Sequence, residues 1–110
     1  MTRVQIDPGR LSRRAILEEA IDVSDGMGGA DIVWQGVRAI SISVEPVGAT
    51  RRERFDAHQE EVRHRVICRK ADDISRGRRF SFLGRRLLIE TVHDLDETGR
   101  YLTCRCVGEA

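Results

Sequence analysis

Alternation of apolar and polar residues marks most of this chain as β-structure. Residues 85–94 place Leu87, Ile89, Thr91 and His93 on one face and Leu88, Glu90 and Val92 on the other. Residues 101–107 set Leu102, Cys104 and Cys106 against Tyr101, Thr103, Arg105 and Val107. An acidic turn ending in Gly99 joins the two runs, which predicts an antiparallel hairpin. Upstream, residues 32–46 form a strand candidate in which Ile40, Ile42 and Val44 alternate with Ala39, Ser41 and Ser43. Gly36 sits where a bulge would bend it, and Trp34 is expected to anchor its first part on the core. Pro46 and Gly48 are expected to end it. A third run sets Val62, His64, Val66 and Cys68 against Arg63, Arg65, Ile67 and Arg69, and Phe80 and Phe82 share a face of a short strand over 79–83.

Two stretches read differently. Residues 13–23 are ambiguous, because Ala15, Ile16, Ala20 and Val23 suit a helical stripe while an extended run also fits. Thr50-Arg51-Arg52-Glu53 matches a capping box and predicts a short helix to about Val62, with Phe55, Gln59 and Val62 on its apolar side. So thin a stripe would need docking to be stable. The pattern predicts a mainly β fold, a small antiparallel β-barrel or sandwich with one accessory α-helix. It fits a single domain over 1–110, with a flexible arm at 1–12, a glycine-rich loop at 24–31, and a loop plus short helix at 47–61.

Composition narrows the function classes. The net charge is +1, since 18 acids nearly cancel 19 bases, whereas a dedicated duplex binder carries a basic excess or patch. Arg76, Arg78, Arg79, Arg85 and Arg86 leave room for a locally basic face, and Lys70 is the only lysine. No stretch approaches the ~20 apolar residues of a membrane span, and the N-terminus lacks a signal-peptide apolar core. Cys68, Cys104 and Cys106 form an odd set without the C-x₂-C knuckle of zinc sites, so core packing outweighs a metal site completed by His93. The segment 24–31 lacks the P-loop lysine and the G-x-G-x-x-G spacing. Asp72-Asp73 and Asp94, Asp96 and Glu97 do not complete a calcium loop, and His58, His64 and His93 sit near no nucleophile motif. The expectation is therefore a protein that is not an enzyme and binds no cofactor or metal.

The order of short motifs carries a resemblance. Gly9-Arg10-Leu11-Ser12-Arg13-Arg14 comes first, then Asp25-Gly26-Met27-Gly28-Gly29 ahead of Trp34, then Ser43-Val44-Glu45-Pro46. Arg52-Glu53 and a polar stretch through Gln59 follow, then His64-Arg65-Val66-Ile67-Cys68-Arg69, then Asp73-Ile74 ahead of Arg78. Last, Arg86-Leu87-Leu88-Ile89-Glu90-Thr91-Val92-His93-Asp94 leads to Leu102-Thr103-Cys104. In this order the chain resembles the head–tail joining (stopper, or head-completion) family of long-tailed phages and gene-transfer particles. It departs from that family at Ser41 and Ile42, where relatives often carry an aromatic and a small residue.

The resemblance implies a barrel subunit of a homo-oligomeric ring around the DNA channel. Its partners would be an adaptor or portal-side ring, a tail terminator or first tail component, and, transiently, packaged double-stranded DNA, with no membrane partner. Its place would be the neck of a virion or phage-like particle assembled in the bacterial cytoplasm. Two surfaces become candidates. Thr50, Arg51, Arg52, Arg54, Phe55 and Gln59 form a candidate channel or gate segment, and Asp25, Gly26, Met27, Gly28 and Gly29 a candidate inter-ring loop. The alternative is a small OB- or SH3-like nucleic-acid-binding domain, which would need exposed aromatics from the five available.

Overall fold

The architecture follows from the two-residue periods above. In a computed structural model describing residues 8–54, 57–95, 97 and 99–109, with side chains for 9–47, 62–95, 97 and 99–108, the chain forms six strands. They are β1 (Arg13–Ser24), β2 (Ala30–Arg54), β3 (Ala57–Arg69), β4 (Arg79–Phe82), β5 (Arg85–Asp94) and β6 (Tyr101–Glu109), preceded by one 3₁₀ turn at Pro8–Arg10. All neighbours pair antiparallel, in the order β1-β2-β3-β6-β5-β4, and β1 also pairs with β4, which closes the sheet into a barrel. Closure leaves the middle of the sheet without an edge strand.

The interior is aliphatic, as expected from a chain with few aromatics. Leu17, Ile42, Val66, Phe80, Leu87 and Ile89 are fully or almost fully buried, joined by Ala15, Ile40, Leu102 and the three cysteines. Burial of each large side chain contributes roughly 1.5–3 kcal/mol. The mainly β reading holds, as do the inward faces of residues 40–44, 64–68, 80–82 and 102–106. Residues 13–23 are extended.

Four expectations are corrected. No α-helix occurs among the described residues, and 50–54 and 57–61 continue the β2–β3 ladder. A marginal helical stripe gives way because each residue added to an existing ladder extends its pairing, whereas a short helix must nucleate afresh. Pro46 and Gly48 do not end β2; the register shifts between them, so Val47 is accommodated as a bulge and the strand runs on. Trp34 does not anchor the core but lies on a projecting ribbon under the Arg79 guanidinium, 4.0 Å from the ring centroid. Finally, a register shift between Ile89 and Thr91 absorbs Glu90, so Thr91 and His93 are exposed while Leu87 and Ile89 are buried.

Bulges also explain the shape. A strand of 25 residues such as β2 would reach about 80 Å if straight, yet the longest dimension of the molecule is 52 Å. β2 breaks register at Val37, beside Gly36 as expected, and at Val47. A Cβ on Gly36 would lie 3.3 Å from Ile16, which makes glycine the fitting residue at that bend. The radius of gyration is 15.9 Å, against about 13 Å for a compact chain of this length. The excess lies in two ribbons.

Candidate functional site

Both ribbons arise where a strand outlasts its third partner. β1 pairs with β4 only at residues 16–18, and β2 pairs with β3 only from Ile42 onward. Residues 19–35 of the β1–β2 hairpin are therefore a two-stranded ribbon. β3 meets β6 only from Arg63, so residues 49–54 and 57–62 form a second ribbon. Because β2 runs through both, they leave the barrel in opposite directions along that strand.

The first ribbon is fastened at its base by ion pairs. Arg79 Nε donates to Glu18 at 2.7 Å while its guanidinium stacks on Trp34. Arg78 donates to Glu19 at 3.0 Å and to the Asp73 carbonyl at 2.8 Å. Arg38 grips Asp73 with two hydrogen bonds, of 2.6 and 2.9 Å. Hydrogen bonding from Arg38 holds the Asp73 carboxyl below its usual range. Above the base the ribbon is solvated on both faces, with Met27 91%, Ile32 64%, Val33 49% and Val23 45% exposed.

All five residues of the candidate inter-ring loop sit at this ribbon's tip, and they are more ordered than their composition suggested. Asp25 Oδ1 accepts from the amides of Met27 at 2.8 Å and Gly29 at 3.1 Å, and the Asp25 amide donates to the Gly29 carbonyl at 3.2 Å. Gly26 and Gly28 take φ of +79° and +84°, open to glycine at little cost. Asp25 thus organises the loop, and the signal available in sequence was an Asx residue two positions before another turn amide.

The candidate gate residues lie in the other ribbon. Its register sets Thr50 opposite Glu61, Arg51 opposite Glu60, Arg52 opposite Gln59 and Arg54 opposite Ala57. Thr50, Arg51, Arg52 and Arg54 are therefore on one strand and Gln59 on its partner, not along one helical face. Phe55 lies outside the described residues. At the base of this ribbon, His64 is buried, and Arg85 donates to its Nε2 at 2.5 Å. His64 and Arg85 share a pocket of about 340 Å³ with Arg13, Val44, Pro46 and Leu83. Burial, and then the Arg85 charge, hold the His64 pKa below its usual 6.5, with the Val62 backbone pulling the other way.

The three thiols come together in the core, but His93 does not join them. Cys68, Cys104 and Cys106 are free and buried; burial pushes the Cys106 thiol up to about 12, and a hydrogen bond with Cys68, then burial, raises Cys104 further. They pack as small apolar groups. His93 faces outward from β5, in a shallow pocket with Arg65, Thr91, Thr103 and Arg105, across the sheet from the thiols. Among the described residues no three His, Cys, Asp or Glu side chains are grouped to hold a metal ion. No described helix is long and apolar enough to cross a membrane. Phe80 and Phe82 are buried and Trp34 is covered by Arg79, while half-buried Tyr101 lies beside Arg69, Lys70 and Arg100.

Comparison with known proteins bears on what such a shape is for. A family model described as phage head completion protein matches residues 6–109. Among solved structures, a chain from the virion of a native gene transfer agent particle superposes with a TM-score of 0.75 at 27% identity, over 90% of this chain and 94% of that one. No curated protein matches the sequence.

Proposed function

The chain belongs to the phage head completion protein family, and from this premise we propose that it is a head–tail connector, or stopper, of a tailed phage or gene-transfer particle. In this reading copies of the chain form a ring in the particle neck. The ring joins the portal or adaptor side to the tail terminator or first tail component, and retains packaged DNA. Assembly would occur in the bacterial cytoplasm, and double-stranded DNA would be touched only in passage.

One observation carries the reading beyond family membership. The barrel is a closed scaffold, and its two ribbons extend past it with both sides available to neighbours. A subunit that must contact copies beside it and rings above and below needs such projections. No step requires a catalytic group, and near-neutral charge suits a channel wall that must release its cargo.

Within this reading the β2–β3 ribbon, with Thr50, Arg51, Arg52, Arg54, Phe55 and Gln59, is the gate that reaches toward the channel. The loop of Asp25, Gly26, Met27, Gly28 and Gly29 is the inter-ring contact. Particles produced without this chain are expected to have filled heads that lack tails and lose DNA, scored by electron microscopy and nuclease-resistant DNA. Normal tailed particles would overturn the connector reading. Replacing residues 50–61 by an Asn-Gly turn is expected to leave tails attached but release DNA; full retention would sink the gate assignment alone.

A further inference from the structure

We propose that the sides of the β1–β2 ribbon dock on a second copy of this chain, in the basic groove lined by Arg14, Arg38, Arg69 and Lys70. The proposal rests on the ring reading and names the surfaces that join successive subunits; the loop at the ribbon's tip stays free to meet the next ring.

Charge supplies the first argument. Residues 15–37 contain five carboxylates, Glu18, Glu19, Asp22, Asp25 and Asp31, and not one Arg, Lys or His. Arg79 and Arg78 take up Glu18 and Glu19 at the base, and Asp25 is engaged by its own loop. Asp22 and Asp31 remain on the exposed flanks. Their cross-strand partners are Ile32 and Val23, so each acid sits beside an exposed aliphatic side chain.

Polarity supplies the second. An isolated two-stranded ribbon is marginal in water, and aliphatic side chains on both faces make it more so. Val23, Ile32 and Val33 are each about half exposed or more, a surface of the kind that marks a contact site.

The receiving surface has the matching character. An open cleft of about 660 Å³ lies where β2 meets the end of β3, with Ala39, Ile40 and Ala71 among its walls. Four basic residues line it against two acids, Asp72 and Asp73; Arg38 and Asp73 hold each other, and Lys70 lies 3.9 Å from Asp94, which leaves Arg14 and Arg69 against Asp72. An adjoining pocket shares Arg69 and Lys70 and adds Arg100, which extends the basic character.

The two surfaces cannot meet within one subunit. Arg38 and Ala39 stand at the ribbon's base, whereas Asp31 is seven residues further along β2, or about 20 Å away in extended chain. Two different patches that complement each other on the same chain make a heterologous contact, which closes into a ring when the rotation allows. A second copy is thus the occupant that fits both charge and polarity.

The test compares wild type with a ribbon variant, Asp22→Lys with Asp31→Lys, and a groove variant, Arg69→Glu with Lys70→Glu. Sedimentation velocity at low salt, with negative-stain microscopy, reads the assembly state, and circular dichroism confirms folding. Wild type is expected to self-associate, and each variant alone to do so at least about tenfold more weakly. An equimolar mixture of the variants is expected to recover association, because it contains one native ribbon–groove pair and one charge-swapped pair. Folded variants that assemble as wild type does, or a mixture that fails to recover, overturn the contact while leaving the ring reading intact. A wild-type chain that stays monomeric to about 1 mM counts against the ring reading and removes this contact with it.

Discussion

The two ribbons are built from the same kind of hydrogen-bonded ladder, yet the sequence lays charge along them in different ways. In sequence, residues 49–62 mix three arginines with four acids, and the register of the β2–β3 ribbon sets Arg51 opposite Glu60. The β1–β2 ribbon has acids of one sign interleaved with exposed Val23, Ile32 and Val33, and its cations are confined to its base. A balanced ribbon suits a segment that must move or yield; an unbalanced one suits a segment that waits for a partner. Geometry alone does not distinguish the two ribbons, but the charge pattern laid along the geometry does.

The largest way to break the contrast is to remove what both ribbons share. Leu17 is fully buried at the point where β1 leaves the barrel. Leu17→Ala is expected to cost about 2–5 kcal/mol by chemical denaturation and to loosen both ribbons together. Loss of hydrogen-exchange protection in the β1–β2 ribbon alone would show that the barrel does not couple them.

A smaller effect should be confined to one end. The Arg79 and Glu18 side chains keep 10% and 19% of their exposure, and Arg79 also stacks on Trp34. Arg79→Ala is expected to cost about 2 kcal/mol, less than the loss of a fully buried pair, with exchange rising in residues 18–35 before residues 49–62. Equal rises at both ends would contradict the assignment of this pair to the ribbon's base.

Acidity should sharpen the comparison further, because the two bases titrate in different windows. His64 has a lowered folded pKa, so the unfolded chain takes up a proton first as pH falls below 6.5, and stability is lost from there downward. Asp73 also has a lowered folded pKa; its contribution is complete above 3.8 and is lost as pH falls through the folded value. The β2–β3 end is therefore expected to loosen first on acidification, followed by exchange or His64 ring chemical shifts, and the β1–β2 base later. His64→Phe should flatten the upper window; an unchanged profile would rule out His64 as its source.

The smallest effect is expected from the β2–β3 ribbon. Before Arg63, β3 has no pairing with β6. Replacing residues 50–61 by Asn-Gly should change the stability of the barrel by less than about 1 kcal/mol, read from the thermal midpoint. A larger loss would mean that this ribbon is part of the folding unit and not an appendage.

Some of this was legible in sequence and some was not. Alternation identified Ile40, Ile42, Val66, Cys68, Phe80, Phe82, Leu102, Cys104 and Cys106 as inward residues, because burial on one side of a strand imposes a period of two. It failed at Thr91 and His93, because the single extra residue Glu90 inverts the parity of everything after it. The glycines of residues 25–29 made a hairpin tip legible, though not the part Asp25 plays in ordering it. Residues 50–61 read as a helix but are strand: Thr50 and Glu53 match a capping box in sequence, and nothing local reveals that 50–54 already belong to a ladder begun eight residues earlier.

The sequence by itself determined a β domain with an aliphatic core, near-neutral charge, unpaired thiols suited to packing, and the motif order of its family. These depend on composition and short-range period, which the chain carries wherever it folds. Only the tertiary structure decided how far each strand outlasts its neighbours, where bulges turn β2, and which charges find partners at the two bases. Those outcomes depend on pairing between strands up to about sixty residues apart, such as Glu18 with Arg79.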